Sequence, residues 1–352
     1  MQPAYQVTID GKIIDFAGRL VSLSVTERTP DRMIAEVSNS VEIVLEDTRS
    51  DRLALPERGR ELKVMIGYLG QPLVDKGTFI VDEVEVDGPP TQLIIRAQSN
   101  PKSPHDEKYN SLTTRQSRSF PSPLSIQKLV EAIAQDHNLQ PVVGPSLAAV
   151  QLTQVDQTNE SDADVLWRIA QLHDATIKIQ DGKLIFIERG TGQSANGLSL
   201  PNLVVTVADG PIDPTKVYLT KWNGRFSDFI TYETAVAVWR DVANARDVEE
   251  QVGSGAEPTL RLTNIYPNAA DALAAAKTAL VSCDRRAGEV SATFPGNPSF
   301  EPEGTITFEN VREGLDGSWY ITESTHQISR EGYTTTVRGN RFSADALSEA
   351  NE

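Results

Sequence analysis

The chain has a single cysteine and four histidines in 352 residues. Cys283 alone cannot close an intramolecular disulfide, and its solitude fits a reducing compartment. His105, His137, His173 and His326 fall in different segments, with no HExxH and no Cys/His pair, so no zinc site is expected. Bases are also scarce. Lys and Arg number 33 against 49 Asp and Glu, a net charge of −16. That balance argues against specific nucleic-acid binding, which needs a basic footprint, and against an anionic membrane surface. No apolar run approaches a membrane span, so no stable membrane insertion is expected. The opening MQPAYQVTID carries neither the basic nor the apolar part of an export signal. The expectation is a chain made and kept in the cytoplasm, or exported only inside a larger assembly.

Catalytic signatures are missing too. There is no GxSxG elbow, and Gly190-Thr-Gly192 is not followed by a phosphate-loop Gly-Lys-Ser/Thr. Asp181-Gly182 lacks the alternating oxygen ligands of a calcium loop, because Ile177 and Ile179 stand there. Carboxylates abound, but no local pattern selects a glycosidase pair. The reading is no catalytic residue, no cofactor, no metal and no enzyme.

What is present is mostly strand. Residues 1 to about 100 give short alternating runs at Tyr5–Ile9, Leu20–Thr26, Val41–Leu45, Glu61–Tyr68, Thr78–Val86 and Gln92–Ala97, with a loop from Arg28 to Asn39. Such spacing suggests a small barrel or sandwich. Residues 101–120 lose periodicity and gather Pro, Ser and the bases Lys102, Lys108, Arg115 and Arg118, as in a linker or arm. Residues 121–196 read as a small α/β domain, opening on a helix with Ser122 as cap and Pro123 in its first turn. Residues 197–345 return to strands, at Leu203–Val207, Lys216–Trp222 and Ala235–Trp239, then an exposed loop from Asp241 to Pro258. An Ala-rich helix follows over 268–287, capped by Asn268, its stripe formed by Ala272, Leu273, Ala276, Leu280 and Cys283. Residues 346–352 are a tail. The fold class expected is α+β, mainly β, with strand-rich regions flanking the α/β domain.

The most specific stretch is QTNESDADVLWRIAQLHDATIKIQDGKLIFIERG, Gln157 to Gly190. Ser161 can cap a helix over 162–173, with Asp164 completing a capping box and Asp162 placing charge in the first turn. Asp181-Gly182 between alternating runs then signals a hairpin. The order of Glu160, Ser161, Asp162, Trp167 and Gly182 resembles the phage late-control gene D family. That family supplies the baseplate or tail hub of contractile-tailed phages and R-type pyocins, and similar segments occur in the spike base of type VI secretion proteins. The resemblance runs from about 5 to 340. It implies two tube-like β-barrels flanking the α/β domain, in a homotrimer that continues the tail tube and carries the trimeric central spike. Implied partners are two further copies of itself, the tail tube protein and the central spike protein, with the tape measure and baseplate wedge proteins as further candidates. The implied location is the baseplate of a phage or tailocin particle.

An internal echo supports the same idea. Leu55-Pro56-Glu57 and Gly59 precede a strand, a glycine turn and Gly77-Thr-Phe79; Glu301-Pro302-Glu303 and Gly304 precede a strand, a turn and Gly317-Ser-Trp319. Phe79 and Trp319 thus hold matching places, and a duplicated module in three copies would present sixfold order. His326 is read as a half-buried structural residue of the second barrel. Two alternatives stand beside the hub: a tail-borne peptidoglycan hydrolase, and the spike-base part of a type VI system. The second is disfavoured because the sequence stops soon after Arg341, with no needle.

Overall fold

Apolar residues alternate along most of the expected runs, and the alternation sets which face of each strand is buried. Val41, Ile43 and Leu45 turn inward from Ser40–Glu46, as do Leu93, Ile95 and Ala97 from Gln92–Gln98. The computed structural model describes residues 1–16, 18–29, 39–48, 52–99, 112–180, 182–192, 200–208, 212–213, 216–227 and 231–341. Within them one 14-stranded sheet runs through both ends of the chain.

In the first half the strands lie in the order Leu20–Arg28, Ser40–Glu46, Gln92–Gln98, Val74–Asp87, Glu61–Tyr68, Pro3–Ile9 and Lys12–Ile14. In the second half the order is Lys221–Phe226, Gly288–Pro295, Gly332–Arg341, Gly317–Ser329, Thr305–Glu309, Asn202–Thr206 and Val217–Tyr218. The two halves join where Leu20–Arg28 pairs with the far end of Gly317–Ser329. The molecule is mainly β, as the sequence suggests. Among the described residues, however, no strand pair closes either half into a ring. The two expected barrels are halves of one continuous sheet.

The halves repeat each other at the level of register. Leu62 faces Phe79 as Ile306 faces Trp319, and Lys63 faces Thr78 as Thr307 faces Ser318. A bulge falls between Val81 and Glu83, and again between Ile321 and Glu323. Beyond it Glu83 faces Arg96 and Glu323 faces Arg338, with ion-pair distances of 3.1 and 3.7 Å. Farther out, Val41 lies between Ala97 and Val25 as Val290 lies between Gly339 and Gly224. One detail of the sequence echo shifts by a residue. The N–H groups of Gly59 and Glu303 donate to Val81 and Ile321, at 2.7 and 3.0 Å, so Gly59 matches Glu303, not Gly304. Both have positive φ, +87° and +71°. The repeat breaks at the sixth strand: Pro3–Ile9 runs antiparallel to its neighbour and Asn202–Thr206 parallel.

Between the halves lies an α/β unit with its own core. Its helices are α1 (Ile126–Asp136), a single turn α2 (Pro145–Ala148) and α3 (Asp162–Leu172). The hairpin Ala175–Gln180 with Lys183–Glu188 forms as expected, and Gln140–Val143 adds to it in parallel. Two expectations change here. The α1 cap is Ser125, whose hydroxyl accepts from the Lys128 N–H at 3.3 Å, because Leu124–Ser125 first pairs with Gln151–Leu152. Arg115–Phe120, expected in the arm, is a strand paired with Val155–Ser161. Lys102, Lys108 and His105 and the tail over 346–352 lie outside the described residues.

The second half also carries an insertion between Lys221–Phe226 and Gly288–Pro295. The expected loop after Asp241 is instead a strand, Arg246–Gly253, hairpinned on Thr234–Asp241, with Thr259–Tyr266 on the other side. Its polar residues mislead because it is an edge strand, exposed along much of its length. Helix α4 (Ala269–Ala287) covers this sheet with Ala272, Ala276 and Leu280, whereas Leu273 points to solvent. Asn268 caps α4 as expected, accepting from the Asp271 N–H at 2.8 Å. Cys283 is half-buried, and burial pushes its thiol pKa up, which suits a packing role better than a nucleophile.

Candidate functional site

The features that single this chain out are the seam between the two halves and the polar network under the Glu160-Ser161-Asp162 segment. At the seam, seven residue pairs run from Glu323 opposite Arg28 to Ser329 opposite Ser22. Arg28 Nε donates to Glu323 at 2.7 Å, and the hydroxyls of Thr26 and Thr325 lie 3.2 Å apart. The Thr322 bulge reverses the alternation of the long strand. Trp319 and Ile321 therefore face the second core, while Ser324, His326 and Ile328 are buried beyond it.

His326 is fully buried, not half-buried, and it belongs to both halves. Its Nε2 lies 3.2 Å from the Phe300 carbonyl, which assigns the proton there and leaves Nδ1 to accept from Tyr333 at 3.0 Å. Burial lowers its pKa, against the pull of Glu27 at 3.6 Å. Beside it Lys76 Nζ, wholly enclosed, donates to Glu27 at 2.8 Å and lies 3.7 Å from Glu301. Burial would raise the Glu27 pKa, but the His326 contact and the Lys76 charge outweigh it and hold the carboxyl at about 2. Tyr68 adds a further tie across the seam, donating to the Gly296 carbonyl at 2.7 Å. A Lys, a Glu and a His thus meet, but with no solvent access for a substrate. Their work is to hold the two halves of the sheet in one geometry.

The second site is built on Asp162, which does more than charge a helix terminus. Its side chain is wholly buried and accepts from His137 (2.8 Å), Arg118 (2.7 Å), Gln116 (2.9 Å) and Gln157 (2.9 Å). Burial would raise its pKa; the His137 and Gln157 bonds, the Arg118 charge and Gln116 lower it to about 2. Arg118 also reaches Asp136 at the end of α1, so one carboxylate ties a strand to the ends of α1 and α3. Arg118 is thereby bonded into the α/β unit and is not part of a linker or arm. Ser161 and Asp164 form the capping box expected of them. Glu160 pairs with Arg168 at 3.1 Å, and Trp167 packs on the core with the Arg189 guanidinium 5.9 Å from its ring centre. Gly182, at φ +72°, supplies the left-handed hairpin position; Asp181 lies outside the described residues.

Phe79 and Trp319 are buried in separate cores, one in each half, and Trp319 Nε1 donates to the Leu315 carbonyl at 2.8 Å. The structure thus places the eight residues singled out by the sequence in four regions: the Glu160–Gly182 unit, the two cores and the seam. Sequence reasoning missed Glu27, Lys76 and Arg118. The usable signal for Lys76 was Gly77, whose φ of +95° marks the bulge that turns Lys76 inward.

Outside the second half of the sheet lies a cleft of about 830 Å³ bordered by Arg28, Arg189, Arg225, Arg285 and Arg338 with Glu289 and Glu323. Arg28 and Arg338 point to Glu323, and Arg285 pairs with Asp174. Arg225 has no ion-pair partner among the described residues. These residues present no group of three or more His, Cys, Asp or Glu side chains set to hold a metal, and none of their helices is long and apolar enough to cross a membrane.

No protein-family model matches the chain. Two curated relatives align over nearly all of it, each named "Probable baseplate hub protein". That of Escherichia phage 186 is 28% identical over 370 residues, 95% of this chain and 92% of the relative. That of Escherichia phage P2 is 28% identical over 372 residues, 96% and 92%. Among solved structures, the 43 kDa tail protein of prophage MuSo2 from Shewanella oneidensis has a TM-score of 0.68 at 14% identity, covering 98% of this chain and 99% of that chain. The E. coli c3393 protein, described as a component of the type VI secretion system, has a TM-score of 0.53 at 11% identity, covering 96% and 77%. The relatives' names agree with the late-control gene D resemblance of the Glu160–Gly182 unit and with a phage tail baseplate. The structures share the fold.

Proposed function

We propose that this protein is a structural baseplate hub, assembled as a homotrimer, that joins a hexameric tail tube to a trimeric central spike. The observation that carries the reading is the register-for-register duplication within one chain. Two copies of one sheet module per chain give three chains six similar modules around an axis, while chain-specific parts keep threefold order. The α/β unit and the three-stranded insertion with α4 are such parts: each occurs once per chain, and they touch each other through Arg285 and Asp174 and through the Thr278 hydroxyl on the Leu172 carbonyl at 3.0 Å. A tube binding six modules and a spike binding three single-copy faces can then share one adaptor.

The buried polar groups fit this role and not a reaction. Glu27, Lys76 and His326 are closed in at the seam and Asp162 within the α/β unit, each bonded to its own neighbours, as groups that fix geometry are. The location that goes with the reading is the tail or tailocin particle, after assembly in the bacterial cytoplasm, with tube and spike proteins as direct partners and tape measure and wedge proteins as neighbours. Mass photometry of the purified protein, alone and with its spike polypeptide, tests the trimer. Trimers alone and a 3:1 assembly counted per spike trimer are expected; monomers binding spike one to one would end the reading. Zymography on peptidoglycan should give no lysis zone.

A further inference from the structure

The inference rests on the trimeric reading and gives it a specific contact. The within-chain seam pairs the outer strand of the first module, Leu20–Arg28, with the far half of the long strand of the second. The matching parts of the other modules are Lys221–Phe226 and Glu83–Asp87. Among the described residues neither has a partner on the corresponding edge. Lys221–Phe226 pairs only with Gly288–Pro295, and the pairing of Val74–Asp87 with Glu61–Tyr68 stops at Ile80. Each chain therefore holds one made seam and the two halves of an unmade one.

We propose that these halves meet between chains. Lys221–Phe226 of one copy adds antiparallel to Glu83–Asp87 of the next, repeating the within-chain seam. Transferring its register places Glu85 opposite Arg225, Val84 opposite Phe226, Val86 opposite Gly224 and Asp87 opposite Asn223. The ladder ends there, because Pro89 and Pro90 have no N–H to give. A head-to-tail contact of this kind closes into a ring when each step turns by the same amount.

Burial argues for it. Leu23 and Glu27 are 1% and 6% exposed in the made seam, whereas their matches Trp222 and Phe226 are 38% and 53% exposed. Across from them His326 is 1% exposed, and its match Val86 is 52% exposed. The unmade seam is thus the more apolar of the two, with Phe226, Val84 and Val86 standing where the made one has Glu27, Ser324 and His326. Aromatic side chains on an open strand edge are a template for strand addition, and a second copy supplies the matching edge.

Charge argues the same way. Arg96 is shared by Glu42, Glu83 and Glu85 at 2.9, 3.1 and 2.7 Å, so one guanidinium faces three carboxylates. The incoming strand brings Arg225, without an ion-pair partner among the described residues, and Lys221. Opposite charges directly across a strand pair stabilise it.

The test uses the full chain in a Cys283→Ser background. Glu85→Cys with Arg225→Cys in one chain should, on mild oxidation, give a covalent trimer on a non-reducing gel, because the matching pair of the made seam, Thr325 opposite Thr26, brings its hydroxyl oxygens to 3.2 Å, close enough for sulfur atoms in those places to meet. The shifted pair Glu85→Cys with Lys221→Cys should not. A native trimer by mass photometry that gives no Glu85–Arg225 link, or links equally through Lys221, overturns this seam and leaves the trimer standing. Monomers at all concentrations overturn both. Charge reversal guards against a failure of the cysteine chains to fold. Glu85→Arg or Arg225→Glu alone should weaken trimer association roughly tenfold, and the two together should restore it. Single reversals that leave association unchanged also sink the proposal, as does a link that forms only with an added spike polypeptide.

Discussion

Lys76 and Glu27, on strands of the same half, form an ion pair of 2.8 Å that is closed from solvent by the other half of the chain. The pair sits where the long strand crosses from one module to the next, with Ser324 and His326 above it. Removing one partner strands the other as a buried charge, a far larger loss than the net worth of the pair. Lys76→Met should therefore destabilise the chain by about 3–5 kcal/mol in urea unfolding. Lys76→Met combined with Glu27→Leu should recover much of that, since it leaves no unpaired charge. A single variant as stable as the wild type would mean water reaches the seam.

The carboxyl network makes acid the natural denaturant. Asp162 is held at about 2 against an ordinary 3.8, so the stability it supplies is full above 3.8 and lost as pH falls through about 2. Glu27, also held at about 2 against 4.5, has the same sign. His326 acts earlier: its pKa is lowered by burial, so below 6.5 the unfolded chain takes up the proton first and stability begins to fall. Asp162→Asn should flatten the stability curve between about pH 4 and 2 while leaving the decline near pH 6 in place. Equilibrium unfolding at stepped pH reads both. An unchanged acid limb in Asp162→Asn would mean that the network does not carry it.

Much of this was legible because local rules and the fold agreed. The Ser161–Asp164 box, the Asn268 cap and the hairpin around Gly182 follow from short-range chemistry alone. The duplication was visible too, through Phe79 and Trp319. Bulges hid the rest. Alternation read outward from Phe79 puts Lys76 in solvent, but residues 76 and 77 together oppose Val64, and the parity flips. The same device at Thr322 buries His326 instead of Glu323. Arg118 sat in a segment without periodicity, and its role depends on Asp162, 44 residues away. The open edges at Lys221 and Glu83 became visible only once the two registers could be compared.

Gly296 is needed for space, not for its backbone angle. A Cβ there would fall 2.1 Å from the Tyr333 ring, while its carbonyl takes the Tyr68 hydroxyl. Gly296→Ala should cost about 1–3 kcal/mol through overpacking at the seam. Tyr333→Ala costs stability by itself, yet the double variant should be clearly better than the sum, because the clash needs both groups. Strict additivity in urea melts would show that Tyr333 moves aside freely.

Phe79 and Trp319 occupy matching positions in two separate cores, and each faces its own aliphatic partner, Leu62 or Ile306. Truncating either to Ala should cost about 3–5 kcal/mol, the range for buried aromatics. Because the two cores share no packing partner of these residues, the losses should add to within about 0.5 kcal/mol if the continuous sheet unfolds as one unit. The seam makes a second outcome measurable. If the modules unfold separately, Phe79→Ala lowers only a first transition and Trp319→Ala only a second, seen as two steps in tryptophan fluorescence and circular dichroism. A single shifted transition in both variants is expected, since the long strand Gly317–Ser329 is hydrogen-bonded into both halves and cannot leave one without opening the other.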